Sequence, residues 1–189
     1  MVEDKSEEYV VKGDGPCLLR TTAAHNYGNE NEGVNMAQML NKHQSNYKDH
    51  YKEKISVDFP MTVKLGRGGE TRTFEKSDDF FNWLEGSEEA TYLWRGCLDL
   101  MAVSNMLHMN IDLVLYEEGK KPDLVVFKPD LDFPWIESDP MKPGNKMIVL
   151  NWKDLHYNLI VSPNHMLSQH GSFDFQKSDE ITLKEVNQS

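Results

Sequence analysis

The sequence predicts a single α+β domain in which a twisted, mixed β-sheet lies between helical layers. Apolar residues recur at helical spacing in several segments up to residue 109, whereas short β-branched and aromatic runs dominate residues 111–161. The chain has 189 residues, 39% of them hydrophobic, which is enough for one well-buried core and short for two. We therefore expect a flexible segment over residues 1–8, one domain over 9–170 and a tail over 171–189.

Four helical segments are expected, each with a start or stop signal of its own. An Asp-Gly-Pro turn, a Ser or Asp cap and single glycines supply these signals, and a stripe of apolar and aromatic side chains marks the second helix. The expected helices run from Cys17 to about Tyr27, from about Val34 to Tyr51, from Ser77 or Asp78 to Gly86, and from Gly96 to about Met109.

Four strands are indicated by short runs of β-branched, aliphatic and aromatic residues that are bounded by Gly, Pro, Asn or Asp. These runs are residues 111–116, 124–127, 147–151 and 157–161. The glycines of residues 66–69 predict a hairpin turn and lack the Gly-Lys-Ser/Thr of a phosphate loop. Residues 129–145 contain four prolines and predict a long irregular loop.

Composition and charge narrow the possible settings and partners. No apolar run approaches the ~20 residues of a membrane span, and two cysteines give no disulfide framework, so we expect a reducing, cytoplasmic setting. The seven histidines show no pairing with cysteine at zinc spacing, and we expect no metal and no cofactor. The net charge of −11 disfavours nucleic acid and membrane surfaces and favours a basic partner, although acidity can also serve solubility alone. We expect a monomer.

A thiol nucleophile is the first candidate of chemical interest. Cys17 follows Asp14-Gly15-Pro16 at a predicted helix N-terminus, where the helix dipole and a nearby imidazole would lower a thiol pKa. Because Pro16 has no N–H, donors for an oxyanion would come from Asp14, Gly15 or Cys17 itself. The alternative is a buried structural cysteine after an ordinary turn.

A base and its orienting group are the second candidate. His156 and Asn158 lie two residues apart on a predicted strand and so share one face, whereas Tyr157 points the other way. The Asn carboxamide can accept the imidazole N–H and leave the other ring nitrogen for a thiol. The alternative is a partly buried strand histidine. With Cys17, these residues are the minimum set of a cysteine hydrolase.

Three blocks of the chain, in order, resemble signatures of the ovarian-tumour (OTU) family of cysteine proteases. The sequence of residues 14–20, DGPCLLR, resembles the family's Asp-Gly-x-Cys-Leu-x-Arg signature. Residues 94–100, WRGCLDL, resemble its Trp-Gly-containing helix, and residues 156–158, HYN, resemble its His-aromatic-Asp/Asn signature. The chain departs from the family pattern at Pro16, which restricts the loop, and at Arg95, which separates Trp from Gly.

The resemblance implies a papain-like OTU fold and the removal of ubiquitin or a ubiquitin-like modifier from conjugates. By motif match, Cys17 is the nucleophile, His156 the general base, Asn158 its orienting residue, and Asp14 part of the oxyanion loop. A viral origin fits such a domain as well as a cellular one, and for a viral protein the expected location is the host cytoplasm. One alternative is a catalytically weak OTU-like module that binds ubiquitin, and another is a cysteine hydrolase acting on small amides.

The modifier's tail carries arginines and glycines, and its recognition suggests an acidic groove with a narrow aromatic slot. The aromatic candidates Trp152 and Tyr157 flank His156 in sequence, and packing in the core is the alternative for both. Cys97 is better explained by burial than by catalysis. The candidate acidic residues are Asp99, Asp130, Asp132, Glu137 and Asp139.

Overall fold

A computed structural model describes residues 5–54, 59–66, 69–130, 146–152, 156–161 and 181–182. In these residues the helices are α1 (Cys17–Tyr27), α2 (Gly33–Asn46), α3 (Lys48–Lys54), α4 (Ser77–Gly86) and α5 (Cys97–Leu107). The strands are β1 (Lys5–Tyr9), β2 (Met61–Lys64), β3 (Thr71–Phe74), β4 (Asn110–Tyr116), β5 (Asp123–Phe127), β6 (Lys146–Trp152), β7 (His156–Val161) and β8 (Ile181–Thr182). The α+β class is as predicted.

The main sheet is mixed, as expected, with strand order β5-β4-β6-β7-β1-β8. Strands β4 and β6 run parallel, and the other neighbouring pairs are antiparallel. Strands β2 and β3 form a separate hairpin, which the Leu65 N–H closes by donating to the Glu70 carbonyl at 2.8 Å. Gly66 and Gly69 therefore lie in the turn that the sequence predicts, and residues 67 and 68 lie outside the described ones.

The core joins the helices to one face of this sheet. Alternate residues of the central strands, including Ile111, Val149 and Leu159, pack in one cluster with α1, α2, α4 and α5. Helix α1 is buried continuously from Cys17 to His25, because its short Thr and Ala side chains allow close packing against β7 and α2. A second, smaller cluster of strand residues lies on the opposite face.

The two chain ends differ from the prediction. Residues 5–8 are not frayed: Glu7, Glu8 and Tyr9 pair with Val161, Ile160 and Leu159. The charged composition of these residues lacks the apolar runs that indicate a strand, because this strand forms through backbone pairing with β7 rather than through an apolar face. Part of the predicted tail, Ile181–Thr182, pairs with β1, and the remainder of residues 171–189 lies outside the described residues.

Helix boundaries agree with the prediction most closely where glycine defines them. Helix α1 ends at Gly28, whose φ of 69° is left-handed and whose N–H donates to the Ala24 carbonyl. The second predicted helix is instead divided at Tyr47 into α2 and α3. Helix α4 is not capped by Ser77 or Asp78: both lie inside it, after an extended Lys76. No helix in the described part of the chain is long and apolar enough to cross a membrane.

Candidate active site

Cys17 is the first residue of α1 and follows Pro16, whose carbonyl accepts the Arg20 N–H at 2.9 Å. The side chain is 1% exposed, and this burial raises the pKa of the Cys17 thiol above its usual range. Backbone hydrogen bonds from Tyr157, Leu18 and Cys17 act in the lowering direction and are outweighed. The expectation of a lowered thiol pKa was wrong for this buried thiol, because desolvation is the largest effect on its pKa.

His156 lies at the start of β7 and reaches the loop that carries the thiol. A Cβ built on Gly13 would be 3.5 Å from the His156 Nδ1 and 3.6 Å from its Cε1, so the imidazole rests against this loop. The Cys17 thiol meets the backbone of Tyr157, the residue that follows His156. The structure thus brings the predicted nucleophile and base to the same end of the sheet.

Asn158 is buried on the same strand, two residues beyond His156. Its carboxamide oxygen accepts the Val11 N–H at 3.2 Å, and its Nδ2 donates to Glu8 Oε1 at 2.6 Å. A carbonyl oxygen has two lone pairs, so the oxygen that binds Val11 can also accept the imidazole N–H. The role of Asn158 as the residue that orients His156 stays a prediction.

Asp14 and Arg20 form a buried ion pair that braces the loop. Arg20 Nε donates to Asp14 Oδ1 and Arg20 Nη2 to Asp14 Oδ2, each at 2.6 Å, a bidentate geometry. The hydrogen bonds with Asp14 raise the pKa of Arg20, which also donates to the Glu30 carbonyl at 3.2 Å. Sequence reasoning gave Arg20 no role, although it lies three residues after Cys17 in the motif that carries the resemblance.

Gly15 brings the loop into backbone contact with the β2–β3 hairpin. Its φ is 75°, and a Cβ there would be 2.8 Å from the Cα of Gly66 and in collision with the Tyr92 carbonyl. Gly66 in turn donates its N–H to that carbonyl at 2.8 Å. The hairpin turn therefore supports the loop, a contact between residues 51 positions apart that no local pattern indicated.

Comparison with known proteins gives a match by fold and none by sequence. No model of a protein family and no curated protein matches the chain. The structure of the OTUD1 OTU domain superposes with a TM-score of 0.57 at 15% identity, covering 83% of this chain and 86% of that chain. The chain has the OTU fold.

Two OTU structures solved with ubiquitin are similar as well. The Hazara virus OTU bound to ubiquitin has a TM-score of 0.52 at 13% identity, covering 84% of this chain and 82% of that chain. An OTU deubiquitinase from Wolbachia pipientis wMel bound to ubiquitin has a TM-score of 0.51 at 8% identity, covering 85% and 98%. At these identities the likeness shows the fold and confirms the papain-like OTU architecture expected from the three blocks.

Of the aromatic slot candidates, Tyr157 lies in the interior of the fold. It is 6% exposed, its hydroxyl donates to the Arg95 carbonyl at 3.2 Å, and its own carbonyl accepts from Thr21 Oγ1 at 3.1 Å. This burial favours the packing alternative for Tyr157. Trp152 ends β6 and Cys97 begins α5, but their side chains lie outside the described ones.

Arg95, which separates Trp from Gly in residues 94–100, is buried and binds residues of three different elements. Arg95 donates to Asp99 Oδ1 at 3.2 Å, to Asn41 Oδ1 at 2.7 Å and to the Ala90 carbonyl at 3.1 Å. Burial lowers the pKa of Arg95, while the adjacent Asp99 acts in the opposite direction. Arg95 thus connects α2, the Ala90 turn and α5.

Both acidic groove candidates within the described residues have internal partners. Asp99 binds Arg95 and accepts from Gln44 Nε2 at 3.1 Å. Burial acts to raise the pKa of Asp130, but hydrogen bonds with His50 and Asn105 outweigh it and leave that pKa below its usual range. Asp132, Glu137 and Asp139 lie outside the described residues. Among the residues described, no group of three or more His, Cys, Asp or Glu is arranged to hold a metal ion.

Proposed function

We propose that the chain is a cysteine isopeptidase that removes ubiquitin or a ubiquitin-like modifier from conjugates. The observation that carries the proposal is the convergence of Cys17 and His156, with the thiol at the N-terminus of α1 and the imidazole against the preceding loop. The OTU fold supports it, because two of the similar OTU structures hold ubiquitin.

In the proposed reaction, His156 accepts the proton of the Cys17 thiol as the sulfur attacks the isopeptide carbonyl. The tetrahedral oxyanion is stabilised by backbone N–H groups of the loop. The Asp14 N–H already donates to the Lys12 carbonyl at 3.2 Å, so Gly15 and Cys17 are the proposed donors. The imidazolium then protonates the leaving lysine amine, and water, activated by His156, hydrolyses the thioester.

The raised pKa of Cys17 bears on the first step. A desolvated thiol keeps its proton at neutral pH, so His156 acts on a neutral thiol rather than meeting a preformed thiolate. Because the sulfur is buried, the substrate tail has to displace part of the surrounding loop before attack. The same burial favours the second candidate function, a ubiquitin-binding module with little or no turnover.

The deciding experiment is incubation with ubiquitin that carries a C-terminal electrophile, followed by intact-protein mass spectrometry. The proposal expects one covalent adduct on the wild-type chain, none on Cys17→Ser, and slower labelling of His156→Ala. Cys97→Ser is the matched control, since it removes the other of the two cysteines and should label normally. Tight binding without an adduct would indicate the module, whereas neither binding nor labelling would reject ubiquitin as the substrate.

A further inference from the structure

Glu8 is a buried acidic residue that the proposed mechanism leaves without a function. It lies on β1 opposite Ile160 of β7, so its side chain shares a sheet face with Asn158, the diagonal neighbour. The side chain is 4% exposed, and its Oε1 accepts the Asn158 Nδ2 hydrogen bond at 2.6 Å. An acidic residue buried to this degree within the sheet needs a reason beyond pairing the strand.

The two neighbours of the Asn158 carboxamide enforce one orientation of it. A carboxylate can only accept hydrogen bonds, so the amide nitrogen must face Glu8. The Val11 N–H can only donate, so the amide oxygen must face Val11. A flipped amide would place its oxygen against the Glu8 oxygen and its NH₂ group against the Val11 N–H, losing both bonds.

The oxygen is thereby held toward the segment that also contacts the imidazole. Val11 is two residues before Gly13, and the His156 ring rests against Gly13. We propose that Glu8 is a positioning residue that fixes Asn158 with its oxygen as the acceptor for the His156 N–H. This inference rests on the proposed function, because it assigns Glu8 to the orientation of the proposed base.

An exchange of charge between the two positions tests the idea. Asn158→Asp alone places two carboxyl groups in contact, which cannot both be ionised, and should lower kcat/KM for a ubiquitin substrate at least about tenfold. Glu8→Gln alone keeps the shape of the side chain but allows both amide groups to flip, and it should lower kcat/KM about threefold. In Glu8→Gln/Asn158→Asp the contact re-forms with donor and acceptor reversed, so kcat/KM should recover to within about threefold of wild type.

The pH profile separates positioning from simple stabilisation. In the double variant the new carboxylate faces the imidazole and stabilises imidazolium. Because His156 must be neutral to accept the thiol proton, the acidic limb of the kcat/KM profile should move up by about one pH unit. Glu7→Gln, the same change on the adjacent β1 residue, is the control and should leave rate and profile unchanged. Melting temperatures of all variants establish that the compared proteins are folded.

Defined outcomes overturn the proposal. A double variant no more active than Asn158→Asp, or a fully active Asn158→Asp, would show that Glu8 only stabilises the strand. If Asn158→Asp does not fold, the double variant is compared with wild type, and an unmoved acidic limb rejects the idea. The rate of iodoacetamide alkylation of Cys17, measured against pH in a Cys97→Ser background and without ubiquitin, should rank the variants in the same order. That readout keeps a failure of this inference distinct from a failure of ubiquitin as substrate.

Discussion

Replacing Arg20 with methionine should lower the free energy of unfolding by about 3–5 kcal/mol, the usual cost of leaving one partner of a buried ion pair without the other. The two side chains are only 9% and 11% exposed, and both Asp14 oxygens accept from Arg20 at 2.6 Å. Lys12, 3.8 Å from Asp14 and 67% exposed, is too solvated to replace the guanidinium. Methionine retains most of the stem volume, so the loss reports mainly on charge and hydrogen bonding.

Urea unfolding at pH 7 measures the change, and Arg72→Met is the matched control. Arg72 binds Glu89 at 2.7 Å, but those side chains are 47% and 51% exposed, so this loss should be about 1 kcal/mol. Adding Asp14→Asn to Arg20→Met should restore at least about 1 kcal/mol, because the unpaired buried charge is then gone. The reasoning is refuted if Arg20→Met costs no more than Arg72→Met.

Further predictions concern the site, the hairpin and pH. His156→Ala should reduce kcat to the background of a dead enzyme, whereas Asn158→Ala should cost less, because an amide only orients the ring; steady-state kinetics measure both. Gly66→Ala should lower kcat and the melting temperature, because its Cβ would lie 2.6 Å from the backbone nitrogen of Gly15, while Gly86→Ala, with open space around it, should change neither. Burial lowers the pKa of His43 from 6.5 to about 4. As the pH falls from 6.5 to 4, the unfolded state takes up the proton and the folded state does not, so the free energy of unfolding should decrease by roughly 3 kcal/mol. Urea unfolding at several pH values should show this decrease, and His43→Gln should remove most of it. If an acidic groove reads the modifier's tail, KM should rise between low and moderate salt with kcat unchanged, and a KM indifferent to salt would contradict the groove.

The sequence predicted those parts of the fold that short-range patterns specify. The four strands from β4 to β7 are apolar runs bounded by turn formers, and each was predicted to within one residue at either end. Helix α1 has a proline turn before it and a glycine after it, and its bounds agree as well. The proximity of Cys17 and His156 followed from the resemblance and not from spacing, since 139 residues separate them.

What the sequence did not predict depends on partners far along the chain. Strand β1 has a charged composition and forms because its backbone pairs with that of β7. Asn158 was expected to face His156 alone, but it is also bound to Glu8, 150 residues away. Arg95 was noted as an interruption of a motif, and its contact with Asn41, 54 residues earlier, required the packed structure.

The acidity of the chain illustrates the same limit in physical terms. The net charge of −11 indicated an acidic surface for a basic tail, yet a count of charges does not separate surface groups from buried ones. Asp14, Asp99 and Glu8 are all buried and are bound to Arg20, Arg95 and Asn158. These buried carboxylates fix the loop, α5 and the strand that carries His156, and Asp14 and Asp99, each paired with an arginine, contribute little to long-range attraction. Acidic residues that attract a substrate must therefore be sought among the exposed ones, whereas the buried ones define the geometry of the site.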